Sequence, residues 1–152
     1  MSNDELSSRP HVPVMVAETM EALQIHPGGQ YVDCTLGAGG HARAILERIQ
    51  PAGRLLGIDA DPAALQTAKS YLGNFGAALV LAQANFGEIG KVCQEHGFSA
   101  NDGILFDLGV SSMQLDNAQR GFSFQRDAPL DMRFGMDPGP SAADIVNNYS
   151  EQ

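Results

Sequence analysis

The chain has 152 residues, 43% of them hydrophobic and 18% charged, a globular composition with enough apolar side chains for one core. Eighteen acidic against nine basic residues give a net charge of −9, which argues against broad, nonspecific binding of nucleic acid. No apolar run approaches the ~20 residues that cross a bilayer, the N-terminus lacks a secretory signal pattern, and two cysteines in unpaired spacing argue against a disulfide framework or a metal site, so a reducing cytoplasm is the expected compartment.

In chain order, residues 1–10 are polar and read as a mobile tail ahead of a domain starting at His11. Residues 14–25 carry Val16, Met20 and Leu23 at helical intervals, and "HPGG" ends that helix. "YVDCT" (31–35) is a β-prone run leading into "LGAGGH", after which Ala42, Ile45, Leu46 and Ile49 mark a helix. "RLLGID" (54–59) is apolar on both faces, as in strands of a parallel sheet, and Asp61 followed by Pro62 reads as an N-cap with proline in the first turn. A helix through Leu72, a strand over 77–84, a helix over 86–96 and a strand over 103–108 follow. Four alternations of strand and helix with short connections predict a doubly wound α/β sheet with helices on both faces. From residue 110 the chain is rich in Gly, Ser, Asp, Pro and Arg without sustained periodicity, until Ser141 and Asp144 offer a capping box for a last helix. The sheet then ends on an apolar edge strand, which implies that more chain, or another copy, covers it.

Strand, glycine loop and helix in that order make the glycines meaningful. Gly37, Gly39 and Ala42 fit G-x-G-x-x-A: a tight turn, a close backbone approach by a ligand, and close helix–strand packing. Asp59 ends the next strand 22 positions after Gly37, where an acid reaches the two hydroxyls of a ribose. An adenosine cofactor is therefore expected. Asp33 either suits the cation of S-adenosylmethionine, where a pyrophosphate would be repelled, or holds the loop by hydrogen bonds. Asn85 is read as a helix cap and Phe86 as a wall for adenine. Asp107 lies at the end of the fourth strand, where ligands of such sheets sit. Ser111 and Ser112 lack a nucleophile elbow and read as loop-shaping. Arg120, Phe122, Phe124, Arg126 and Arg133 interleave arginine with aromatics. That pattern suits a splayed base and its phosphates, or else the phenylalanines anchor the loop and the arginines pair with Asp127 and Asp131.

"GAGGH", "GIDADP", "DGILFDLGVSS", "QLD", "RGFSF" and "DAPLDMR" together resemble the RsmH (MraW) family, over roughly His11 to Tyr149. The resemblance implies a Rossmann-like class I S-adenosylmethionine-dependent methyltransferase that modifies the N4 amine of a cytidine in the decoding region of small-subunit ribosomal RNA. By matching positions, it implies cofactor contacts at Gly39, Gly40, His41, Asp59, Phe86, Asp107 and Gln114. Residues 11–109 would then be the first half of the cofactor domain and 110–152 the substrate loop and the start of an inserted helical domain, the last strands lying beyond Gln152. Members of the family are longer chains, so activity of these 152 residues alone is a separate question.

The exocyclic nitrogen of cytosine is a poor nucleophile because its lone pair is delocalised into the ring, so orientation, desolvation and a proton acceptor carry the expected catalysis. The segment "DLGV" is not the Asn/Asp-Pro-Pro-aromatic motif of many amino-methyltransferases, which leaves Asp107 as the candidate acceptor. Two other readings stand beside this one: a nicotinamide-dependent oxidoreductase using the same loop, and a non-catalytic piece that keeps only the cofactor pocket. The expected partner is small-subunit RNA or the assembled subunit, with self-association through the sheet edge a further expectation.

Overall fold

The strand Arg54–Asp59 (β2) turns apolar side chains to both faces because both faces are packed, and it is hydrogen-bonded on both edges. In the computed structural model, which describes residues 13–135 and 139–150, it pairs in parallel with Gln30–Asp33 (β1) and Leu79–Gln83 (β3). Gly103–Leu105 (β4) pairs with the other side of β1, giving the order β3-β2-β1-β4. The chain thus winds outward from β1 first in one direction and then in the other, and the crevice above β1 and β4 is the topological switch point.

The two faces hold separate cores. Tyr31 and Leu55 project onto the face covered by helices Val16–Ala22 (α1), Gly40–Ile49 (α2) and Pro62–Leu72 (α3), where Met20, Ile45, Leu46, Ile49 and Leu72 are buried. Val32, Leu56, Ile58 and Ala82 project onto the other, packed against Val92 and Cys93 of Ile89–His96 (α4) and against Phe98. Asp61 caps α3 by accepting the Ala63 N–H at 2.9 Å, with Pro62 as first helical residue, as its sequence required.

The expected tail over residues 1–10 lies outside the described residues. The third strand begins at Leu79 because residues 73–78 form 3-10 turns across Gly76, whose φ is 54°. The expected helix over 86–96 divides into a 3-10 turn, Phe86–Glu88, and α4. The fourth strand stops at Leu105 rather than running to residue 108. The Cys34 N–H still donates to the Leu105 carbonyl, but the Asp107 N–H donates to the Thr35 hydroxyl at 2.7 Å, and the chain leaves the ladder there. The segment expected to lack periodicity contains a short helix, Ser112–Asp116 (α5), set by a reciprocal capping box of Ser111 and Gln114. The last helix, Ala142–Asn148 (α6), has the expected box of Ser141 and Asp144. On its outer side β4 has no partner among the described residues, and Ile104 and, just after the strand, Phe106 are partly exposed. No described helix is long and apolar enough to cross a membrane.

Candidate cofactor site

Turns from the C-terminal ends of all four strands enclose a cavity of about 670 Å³ at the switch point, a volume in the range of small-molecule sites (about 300–1,000 Å³). Three loops build its floor. In the β1–α2 turn, Gly37 and Gly39 have φ of 53° and 90°, which only glycine adopts freely, and the Leu36 carbonyl accepts the Gly39 N–H. Gly40 and His41 line the cavity, whereas Gly39 stands behind it: a side chain there would meet Leu72 Cδ1 at 2.8 Å. The reason for glycine at this position is thus the contact with α3 as well as backbone geometry.

Asp59 ties two of these loops together. One carboxylate oxygen accepts the Gly37 N–H at 2.8 Å and the other the Asp61 N–H at 2.9 Å. It lines the cavity with lone pairs to spare, since each oxygen accepts two hydrogen bonds. Asp107 stands at the rim with most of its carboxylate in solvent, 3.7 Å from His41 Nδ1. His41 Nε2 lies 3.1 Å from the Val14 carbonyl, which can only accept, so this nitrogen carries a proton and Nδ1 faces Asp107. Phe86 also lines the cavity, half exposed and edge-on to Phe106 at 5.8 Å. Asn85 caps the 3-10 turn through the Gly87 N–H at 2.8 Å, the cap its position suggested. Gln114 is buried; its Oε1 accepts the Ser111 N–H at 2.9 Å, which leaves its amide NH2 as the group it can offer a ligand.

Asp33 takes the loop-holding alternative. It is buried under the turn, does not line the cavity, and accepts the Thr35 N–H at 3.1 Å. Burial, reinforced by the charges of Asp59 and Asp107, pushes its carboxyl up to about 7 against the lowering effect of the Thr35 bonds. The folded state therefore keeps a proton that the unfolded chain has lost, so this residue costs stability progressively as pH rises from the unfolded value near 4 to about 7, and no more above that. Asp33→Asn keeps an acceptor for Thr35 and removes this cost. Wild-type stability should fall relative to the variant by up to about 1.4 kcal/mol per pH unit across that window, read from denaturant midpoints at pH 5 and 8. Parallel pH profiles for the two proteins would contradict this.

With this geometry in place, the likeness to known proteins has a physical basis: a model of the MraW methylase family matches residues 8–152. The chain belongs to that family. It is 54% identical over 140 residues to "Ribosomal RNA small subunit methyltransferase H" of Dehalococcoides mccartyi, covering 92% of this chain and 40% of that protein. It is 53% identical over 141 residues to the protein of the same name from Geobacter sulfurreducens, covering 93% of this chain and 45% of that one. The chain therefore spans less than half the length of the curated relatives it matches. Among solved structures, a protein-L-isoaspartate O-methyltransferase matches with a TM-score of 0.52 at 18% identity, over 64% of this chain and 30% of that chain. That likeness speaks for the Rossmann-like fold and no more.

The loop of this MraW-family chain after α5 divides the five interleaved residues into two groups. Arg120 and Phe122 are engaged inside the protein, and Arg133 is held in an exposed ion pair. Arg133 pairs with Asp131 at 2.6 Å, as one alternative expected, and holds that carboxyl down at about 2. Arg120 does not pair with Asp127 or Asp131 but with buried Asp61, 59 positions away, at 2.6 Å. Phe122 is buried, edge-on to Phe134 at 5.4 Å. Phe124, by contrast, is fully exposed, and Arg126 makes one 3.3 Å bond to the Asp116 carbonyl. Sequence reading missed Thr35, Asp61 and Phe134 as parts of this site. Asp61 was marked only as a helix cap and as part of the "GIDADP" motif, and nothing in the local pattern gave the other two a role in the site.

Proposed function

We propose that this protein binds S-adenosylmethionine in the switch-point cavity and, with the rest of its chain, methylates the N4 amine of a cytidine in the decoding region of small-subunit ribosomal RNA. One observation carries the cofactor assignment: among the described residues, the cavity lining includes Asp59 and Asp107 but no lysine or arginine. Asp59 fits the ribose of either cofactor, so the distinction rests on the rest of the lining: a pyrophosphate there meets Asp107 and no lysine or arginine, whereas a sulfonium and an ammonium group are suited to it. This disfavours the nicotinamide reading. The names of the relatives support the RNA substrate, and that substrate supports a cytoplasmic location.

When bound, the cofactor supplies a methyl group made electrophilic by the attached sulfonium. In this reading Asp59 holds the ribose hydroxyls and Phe86 covers the adenine. Gly40, His41 and the NH2 of Gln114 line the remainder. Asp107, at the rim and mostly in solvent, takes the proton that the amine must lose. The cytosine has to be turned out of its stack to reach that rim, and Phe124 with Arg126 is the accessible pair for stacking and phosphate contact.

Titration calorimetry tests the first claim. S-adenosylhomocysteine should bind and NAD should not; the opposite result would refute the assignment. For the second, Phe124→Ala should leave S-adenosylhomocysteine affinity unchanged and lower methyl transfer to small-subunit RNA by roughly 5- to 100-fold at subsaturating RNA, the equivalent of one lost base stack. Unaltered transfer would remove Phe124 from the substrate surface.

A further inference from the structure

Arg120 is a poor candidate for a free RNA-binding cation. Its side chain is 24% exposed, that of Asp61 is 9% exposed, and both ends of its guanidinium are occupied. Nη1 donates to Asp61 Oδ2 at 2.6 Å, while Nη2 donates to the carbonyls of Arg133 and Phe134 at 2.9 and 2.8 Å. The Arg120 carbonyl in turn accepts the Met132 N–H at 3.0 Å, so the two arms of the loop are bound to one another on both sides of this residue.

Asp61 is itself the end of a chain of bonds into the cavity floor. Its N–H donates to Asp59 Oδ1, and Asp59 Oδ2 accepts the N–H of Gly37. At the other end, Phe134, whose carbonyl Arg120 holds, is one wall of the cavity and stacks edge-on against Phe122. Arg120 therefore joins the turn that carries Asp59 to the loop that closes the cavity.

We propose that Arg120 is a positioning residue that latches the loop over residues 117–135 onto the Asp59–Asp61 turn, so that occupancy of the cofactor cavity and order in the substrate loop are coupled. The coupling rests on the cofactor reading given above, and by linkage it acts in both directions: ligand in the cavity steadies the loop, and a steadied loop binds ligand more tightly. The fork of the guanidinium is what the position needs. A lysine would keep the charge opposite Asp61 but could not also reach two carbonyls with a second, separately directed NH2. A surface ion pair would contribute little to such a link; this one is largely withdrawn from water, and Asp61 has no other ion pair among the described residues.

Hydrogen–deuterium exchange by mass spectrometry, combined with calorimetry, tests this. In the wild type, S-adenosylhomocysteine should slow exchange in peptides covering 117–135. In Arg120→Gln that protection should be lost and the dissociation constant should rise at least about 5-fold, the lower end of ordinary coupling. Exchange in β2 should be unchanged, and Arg120→Lys should recover part of both effects. A Gln variant with wild-type affinity and wild-type protection would overturn the latch.

The ligand-free protein supplies a second measurement. Asp61→Asn keeps the helix cap but not the charge, and should speed loop exchange as Arg120→Gln does, with no further increase in the double variant. If neither substitution speeds exchange, the latch fails even where the ligand binds. If S-adenosylhomocysteine does not bind the wild type but both substitutions loosen the loop identically, the latch stands and the cofactor assignment falls.

Discussion

Asp59→Ala is expected to weaken S-adenosylhomocysteine by about 100-fold, close to 3 kcal/mol. The carboxylate already accepts the Gly37 and Asp61 N–H groups, and its remaining lone pairs are the acceptors that the cavity offers to a sugar diol. A hydrogen bond to a charged group is worth about 1.5–3 kcal/mol, so two lost ribose bonds, partly replaced by water, account for a loss of this size. The substitution also frees Gly37, and some of the loss will reflect a looser loop. Asp59→Asn separates the contributions. The amide keeps one acceptor oxygen but turns an NH2 toward one of the two backbone donors, so an intermediate loss of roughly 10-fold is expected. Calorimetric affinities of the alanine variant within threefold of wild type would contradict the assignment of Asp59 to the ribose.

Gly39→Ala should lower the melting temperature by roughly 5–15 °C, from about 2–5 kcal/mol of lost stability at the slope usual for a domain of this length. Two costs add. A φ of 90° is unfavourable for any residue with a Cβ, by about 1–2 kcal/mol. The new methyl would also stand 2.8 Å from Leu72 Cδ1 and 3.5 Å from the Ala68 side chain, in a core with Leu72 fully buried, and overpacking of that kind costs about 1–3 kcal/mol. Leu72→Ala alone leaves a cavity and destabilises by about 2–5 kcal/mol. In the double variant the inserted methyl has room, so its loss should be smaller than the sum of the singles by about 1–2 kcal/mol, the backbone cost remaining. Strict additivity in denaturant unfolding would mean that Leu72 is not what excludes a side chain from position 39.

These two residues also show how differently parts of the site can be read from a sequence. Asp59 was legible because its signal is one of spacing: a strand apolar on both faces, ending in an acid 22 positions after the first glycine of a strand–loop–helix unit. Gly39 was legible as a glycine of the loop, but not its reason, since Leu72 lies 33 positions further on and reaches it only once α3 has packed beside α2. Asp33 presented two roles with equal claim. The side to which a strand-end carboxylate turns depends on the path of the following turn, here set by the Thr35 N–H. For Arg120, pairing with Asp127 or Asp131 is the alternative that closeness in sequence suggests, whereas Asp61 is the carboxylate close in space.

By itself, the sequence determined the alternation of strands and helices, the bounds of β2, the caps at Asp61 and Ser141, and the glycine turn with its downstream acid. All of these rest on contacts a few residues apart or on the periodicities of single elements. Tertiary structure decided that β1 lies between β2 and β4, that the fourth strand leaves the sheet at Leu105 when Thr35 accepts the Asp107 N–H, and that Arg120 serves the fold rather than standing free. Those outcomes depend on which surfaces meet across tens of residues, and no local pattern carries that information because the competing partners are chemically alike until the chain has folded.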